Sequence, residues 1–490
     1  MPDRPPSRVA TAVKILAVTV MLLLAAAVGL LYWALPAATG YASHYLCARV
    51  LAGGDGSDGS DGDARAVFAR EVQPINPLFD FVTYRIDRAR QTVEAAGLGV
   101  LRSTVALYRP GLGCTIAPAD AIDALRVEGD GLALPGASAE ADNLDDAIPS
   151  DPPPALGAVL DRAVAEPAPG SLRNTLAVVV RQDGKLVGER YAPGVTADTP
   201  LLGWSMTKTV TALLAGVLAR DGKLTLAQDR LLDDWASSGD PRQAIRLRDL
   251  LQWTSGLDYR EGYLPGSDTT KMLYQSTDMA RFVASRPLKI APGREVDYQS
   301  GGSVLVAKII ARAVSPRPLD IVPFARARLF EPLGIRTAMM EPDASGTLVG
   351  SSYMLASARD WSKLGQLILQ HGVWRGARIV DEDWVRFMAT PEATRHDGRL
   401  GAHLWLNAGA GGARRFPSLP EDLVMMDGFN HQLVVIVPSC RVVITRLGAT
   451  VDHSWDTERF VADVMASLPG CADPATTSAA REANHEDHRT

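Results

Sequence analysis

Ser205-Met206-Thr207-Lys208 places a hydroxyl and an amine three residues apart. On a helix, positions i and i+3 share a face, so the amine comes within reach of the hydroxyl. A lysine taken out of water binds its proton less tightly and can accept the serine proton, leaving an activated oxygen nucleophile. Val210, Leu213, Leu214, Val217 and Leu218 follow with the apolar spacing of an amphipathic helix, and Asp221-Gly222 supplies its stop. Ser205 therefore falls at a helix N-terminus, where the dipole and free N–H groups favour negative charge on its oxygen or on a neighbouring oxyanion. A helix-capping serine beside a solvated lysine reads the same, so the motif is informative only in context.

Two further stretches carry polar groups in turns. Pro292-Gly293-Arg294-Glu295-Val296-Asp297-Tyr298-Gln299-Ser300-Gly301-Gly302 leads into a helical run, Val304–Val314. Tyr298 there is a candidate acid or base if a nearby cation lowers its pKa, although a lone tyrosine is more often a packing residue. Asp427-Gly428-Phe429-Asn430-His431-Gln432 is a glycine turn entering a strand, a setting that can present a backbone N–H to an oxyanion. A lone histidine such as His431 is more often structural than catalytic.

The elements that would hold these residues alternate in a recognisable way. Thr175–Gln182 and Lys185–Tyr191 are strand-like runs joined at Asp183-Gly184, a hairpin dipeptide. Leu433–Val437 and Val442–Leu447 form a second hairpin through Pro438–Arg441, and a helix follows near Glu458–Leu468. Strands from both ends of a domain with helices between them predict an α+β fold, one antiparallel sheet flanked by helices, over residues 155–470. Ahead of it, residues 65–117 read as a small β-rich region, 53–63 as a flexible acidic linker, and 141–154 as a Pro- and Asp-rich linker. Residues 471–490 read as a disordered polar tail.

The compartment is set by the N-terminus. Residues 15–35 contain no charge and span about 30 Å as a helix, the thickness of a bilayer core. Arg4, Arg8 and Lys14 precede the stretch and the next basic residue is Arg49, which places residues 1–14 in the cytoplasm. Tyr32 and Trp33 stand where an interfacial aromatic belt belongs. A membrane anchor is preferred to a cleaved signal because the apolar run exceeds a usual signal core; a small-residue site ending at Ala42 keeps cleavage open. Either way the rest of the chain, with 36–154 as the membrane-proximal region, is exported, into the periplasm if the membrane is a bacterial inner membrane. Export permits disulfides, and of the three pairings that Cys47, Cys114, Cys440 and Cys471 allow, 47–114 and 440–471 tie neighbouring regions together. The net charge of −6 supplies no basic surplus for a phosphate backbone, so nucleic acid is not expected as a partner. No CxxC or HExxH occurs, and no metal or cofactor is expected. Oligomeric state is left open.

The order hairpin, SxxK helix, tyrosine loop and glycine turn into a C-terminal hairpin resembles the serine β-lactamase and penicillin-binding superfamily, in the class C-related branch with 6-aminohexanoate-dimer hydrolase and the family VIII esterases. Four stretches carry the resemblance: Leu202–Lys208, Arg248–Leu257, Pro292–Gly301 and Leu329–Gly334. It covers about residues 165–450 and implies a β-lactamase/transpeptidase-like α/β sandwich with an all-helical subdomain. By position it makes Ser205 the acylated nucleophile, Lys208 its proton partner and Tyr298 the proton shuttle. The backbone N–H groups of Ser205 and Phe429 would form the oxyanion hole. Tyr263, Ser300, Gly428, Asn430 and His431 would face the substrate. Ser300 stands where the class C Tyr-x-Asn motif has its third residue. No Lys-Thr-Gly precedes the last strands, where Glu421–Met426 stands instead; that departure argues against a dedicated β-lactamase or carboxypeptidase. The reading that results is an anchored, exported serine hydrolase of a small amide or ester. A cell-wall-directed β-lactamase or D,D-peptidase and a catalytically silent envelope-binding protein are its rivals.

Overall fold

The structure, a computed structural model of the chain, describes residues 8–54, 61–128, 132, 152–391, 398–409 and 412–471. Most of both expected linkers and all but the first residue of the expected tail lie outside these residues.

The apolar N-terminal run lies in one helix, Arg8–Leu46, longer than the expected span. From residue 12 to Trp33 every side chain but Leu31 is exposed, and from Ala34 onward the helix is buried almost throughout. Among the described residues it is the one helix long and apolar enough to cross a membrane. Pro36 lies inside it. Proline has no N–H to offer the carbonyl four residues back, and Nε of Arg102 donates to that Tyr32 carbonyl instead, at 3.3 Å, with the guanidinium 4.3 Å above the Tyr32 ring.

The β-rich region is a four-stranded antiparallel meander, Val82–Asp87, Thr92–Gly97, Leu101–Arg109 and Gly113–Ala117. It packs along the buried half of the helix, where the Thr39 hydroxyl donates to the Arg102 carbonyl at 2.9 Å. The Cys47–Cys114 disulfide forms as expected and closes a loop of 67 residues. By loop-closure entropy a bridge of that span contributes about 4 kcal/mol. This region is not set apart from the main domain: Leu35, Tyr41, Tyr45, Val93 and Ala106 share one hydrophobic core with Leu213, Val306 and Trp361.

The central sheet has six antiparallel strands in the order Trp405–Leu406, Val424–Gly428, Gln432–Val437, Val442–Gly448, Thr175–Gln182, Lys185–Tyr191. Both expected hairpins are present, and the two ends of the domain meet where Val443 pairs with Arg181. Asp183 and Gly184 both have positive φ, 52° and 80°, as a tight hairpin turn of matching twist requires. Strand side chains alternate between two cores. Val178, Val435 and Ile444 pack under the helices Pro154–Val164 and Thr457–Ala466. Val179, Val434 and Val443 pack on the other face with the helix Ala358–Leu369. Beyond that layer lies the helical subdomain, which includes Thr207–Arg220, Asp268–Gln275 and Ser300–Val314.

The second expected disulfide is not formed: Cys440 and Cys471 are buried neighbours whose thiols interact but stay free, with the Cys471 thiol also 3.9 Å from the Cys440 carbonyl oxygen.

Candidate active site

The backbone before the expected nucleophile is strained. Trp204 has φ 49°, in the left-handed region that a bulky side chain avoids, at a cost of about 1–3 kcal/mol. A short 3₁₀ turn, Trp204–Met206, then feeds the helix Thr207–Arg220. The Trp204 ring is held in a cluster: Tyr41 of the long N-terminal helix stacks on it at 5.5 Å, and Phe429 meets its face at 5.7 Å. Gly203 must be glycine, since a Cβ there would lie 2.2 Å from the Trp361 ring.

Lys208 is buried beneath Ser205 with three partners: Ser205 Oγ at 2.9 Å, Ser300 Oγ at 3.1 Å and the Ser351 carbonyl at 3.0 Å. Burial lowers its pKa to about 8, against the opposing pull of Glu261. The partners also indicate how a neutral amine would sit. The Ser351 carbonyl can only accept, and Ser300 already donates its hydroxyl proton to Glu261 Oε1 at 2.8 Å. Both N–H bonds are therefore committed, and the lone pair is left for the Ser205 hydroxyl.

Ser300 does not face substrate as expected. It is 1% exposed and stands between Lys208 and Glu261, whose second oxygen accepts from the Ser300 N–H at 2.8 Å. Glu261 was not singled out by sequence reasoning. It lies in an irregular loop with no periodicity to mark it, two residues before Tyr263. His403 was missed for the same reason. It is 3.0 Å from the Lys208 carbonyl through Nδ1 and 3.0 Å from the Ser303 hydroxyl through Nε2. Burial, with the nearby Lys208 charge, lowers its pKa to about 3, so it is a neutral brace for the start of the helix.

Tyr298 does reach the site. Its ring centroid is 5.0 Å from Lys208 Nζ, and Trp253 and Trp405 flank it at 5.0 and 5.6 Å. The expected lowering of its pKa does not occur: burial raises it well above 10.0, and the charges of Tyr263 and Glu261 raise it further. Tyr298 thus stays a phenol at neutral pH, suited to donating or relaying a proton rather than to acting as a phenolate base. Tyr263 shares the position, with its hydroxyl, like that of Tyr298, interacting with Ser205 and its ring 4.8 Å from Phe429. Burial raises its pKa too.

The glycine turn closes the other side. Gly428 approaches the nucleophile strand so closely that a Cβ would lie 2.2 Å from the Gly203 carbonyl oxygen, so its role is backbone proximity rather than side-chain contact. Asn430 and His431 both take positive φ, 59° and 63°. Their carbonyls accept from buried Arg446 at 3.1 and 2.9 Å, and the Phe429 carbonyl accepts from Gln432 Nε2 at 3.1 Å. All three peptide planes of the turn are therefore fixed. The Asn430 and His431 side chains line the adjoining cavity. Burial, followed by the Arg446 charge, lowers the His431 pKa and keeps its ring neutral.

A nucleophile, a desolvated amine, two phenols and a rigid turn beside a strained elbow form a constellation suited to acyl transfer. The sequence model of the β-lactamase family matches residues 160–456, more than half of the chain. The chain belongs to the β-lactamase family. A 6-aminohexanoate-dimer hydrolase from Paenarthrobacter ureafaciens is 23% identical over 223 residues, 43% of this chain and 56% of that relative. The chain thus spans little more than half the length of this curated relative. Among solved structures, SurE with D-Leu superposes with a TM-score of 0.50 at 20% identity, covering 64% of this chain and 75% of that one. A β-lactamase from Mycobacterium bovis gives a TM-score of 0.46 at 14% identity, covering 64% of this chain and 99% of that one. The β-lactamase/transpeptidase-like fold expected from the sequence is the observed fold. The N-terminal helix and the meander fall outside the family match, yet Tyr41 stacks directly on Trp204.

Proposed function

We propose that the protein is a membrane-anchored, exported serine hydrolase that cleaves an amide or ester through an acyl-enzyme on Ser205. The observation that carries this reading is the 2.9 Å contact between Ser205 Oγ and a lysine whose other two bonds are taken by acceptors. Ser205 Oγ attacks the substrate carbonyl carbon and its proton passes to neutral Lys208. The N–H groups of Ser205 and Phe429 hold the oxyanion. As the tetrahedral intermediate collapses, the leaving amine or alcohol takes the proton from Lys208 through the Tyr298 hydroxyl, and water then releases the acid. The named activity of the Paenarthrobacter relative, hydrolysis of an aminohexanoate dimer, favours an amide. Export is supported by the basic residues ahead of the apolar run and by the Cys47–Cys114 bridge, which persists in an oxidising compartment such as the periplasm.

Intact-mass spectrometry after exposure to a fluorophosphonate tests the nucleophile. A single adduct is expected on the native protein and none on Ser205→Ala; an unmodified native protein would overturn the reading and favour a silent binding protein. The lysine pKa of about 8 sets the pH dependence. The reactive neutral amine grows from about a tenth of the population at pH 7 to about nine-tenths at pH 9, so kcat/KM should rise about tenfold over that interval. A profile that is flat or falling between those limits would remove Lys208 from the role of base.

A further inference from the structure

The cavity beside the nucleophile is continuous with the anchor. Its volume is about 440 Å3, inside the roughly 300–1,000 Å3 range of small-molecule sites. The long helix lines it with Ala37, Ala38 and Tyr41, Phe429 lines it from the glycine turn, and the exposed Tyr263 and Leu264 form the rim. Trp33 is the last exposed residue of the helix. Ala37 follows it by four residues, about 6 Å along the axis. The rim loop itself reaches back to this level, since a Cβ on Gly266 would lie 2.3 Å from the Trp33 ring.

Exposed apolar side chains gather at the same height. The tip of the meander hairpin carries Leu98 and Val100, 55% and 82% exposed, and the rim loop carries Leu264 at 71%. The hairpin is held against the helix exit: Leu35 packs on Gly97, and Arg102 bonds to Tyr32. Apolar side chains gathered around an exposed apolar helix make a patch of the kind that marks a membrane contact, whereas single ones would be ordinary. Around a membrane helix, level with Tyr32 and Trp33, they suit the acyl boundary of a bilayer. The rim of the cavity is thus part of the surface that would rest in the lipid.

Building on the serine-hydrolase reading above, we propose that the substrate is a bilayer amphiphile, an amide or ester of a long acyl chain, whose tail passes from the membrane over the Leu264 rim into this cavity while its carbonyl carbon reaches Ser205. Acylation transfers the chain to Ser205 Oγ, the amine or alcohol leaves with the serine proton, and water releases the fatty acid. The tail need never cross water.

The test uses the full chain reconstituted in phosphatidylcholine vesicles with 4-methylumbelliferyl palmitate or butyrate in the same bilayer. Palmitate should be hydrolysed with a kcat/KM at least about tenfold above butyrate, because a tail long enough to lie along the cavity holds its carbonyl at Ser205 and a four-carbon tail does not, and misplacing a reacting group costs up to about 10²-fold. Ala38→Phe, which fills the cavity from the helix side, should lower the palmitate-to-butyrate ratio by about tenfold, with fluorophosphonate labelling of Ser205 reporting that the variant is folded. Palmitate offered on albumin in solution should turn over more slowly than palmitate in the enzyme's own bilayer. No preference for palmitate by a wild-type protein that labels at Ser205 would overturn the membrane substrate and leave the hydrolase intact. Equal rates from albumin and bilayer would overturn the membrane as source, and failure of the wild type to label would overturn both readings.

Discussion

Lys208→Met should lower kcat/KM by about 10²–10⁴, the range typical of a positioned general base, without unfolding the protein. The amine touches Ser205 Oγ, Ser300 Oγ and the Ser351 carbonyl, so its loss removes the proton acceptor and one of the groups that orient the serine. Methionine fills a similar volume and carries no charge. Because burial lowers the lysine pKa, the folded state binds that proton less tightly than the unfolded chain, and at pH 7 the fold bears the cost of a buried ammonium. The variant should therefore unfold at no lower denaturant concentration than the native protein while losing turnover. Lys208→Arg should not restore activity, since a guanidinium does not surrender its proton. The double variant Ser205→Ala/Lys208→Met should be no worse than Ser205→Ala alone, because groups acting as one unit are not additive. Steady-state kinetics beside urea unfolding decide the matter, and a Lys208→Met enzyme within tenfold of native would refute the assignment.

The second large effect lies far from the catalytic motifs in sequence. Tyr41→Ala should destabilise the protein by about 3–5 kcal/mol, as truncation of a large buried aromatic does, and should lower kcat as well. Tyr41 stacks on Trp204 at 5.5 Å and touches Tyr45, Phe79 and Tyr274 at 5.5, 5.4 and 6.0 Å. Without it, Trp204 loses the support that keeps it in the left-handed region, and the turn carrying Ser205 relaxes. Tyr41→Phe provides the control. Among the described residues the Tyr41 hydroxyl is buried with no hydrogen-bond partner, so its removal should be neutral or slightly stabilising. Chemical denaturation and kcat for the two variants separate these outcomes; equal stability of Tyr41→Ala and the native protein would mean that the helix does not support the nucleophile turn. A fragment beginning near residue 152 would lack this support altogether, although it contains the whole family match.

Neighbours along the chain encode the local pieces of this protein. The SxxK helix, the Asp183-Gly184 hairpin, the alternating strands and the apolar run of residues 15–35 follow from periods of 3.6 and 2 and from turn chemistry, all within a few residues of each other. The order of these pieces sufficed for the family and for Ser205, Lys208 and Tyr298 as candidates. Whatever depends on the chain returning upon itself is set by the assembled fold. Lys208 meets Ser300 and Ser351 across 92 and 143 positions, and no local pattern marks such meetings or the placement of Glu261 behind Ser300. The Tyr298 phenol rises in pKa instead of falling because burial outweighs the nearby amine, a balance set by packing. Cys440 and Cys471 come together as buried free thiols across 31 positions, another meeting that no local pattern marks. The N-terminal region, in sequence only a membrane-proximal stretch, forms a wall of the cleft, because the helix that leaves the apolar run carries Tyr41 and Tyr45 onto Trp204, and burial of those rings is a property of the assembled core alone.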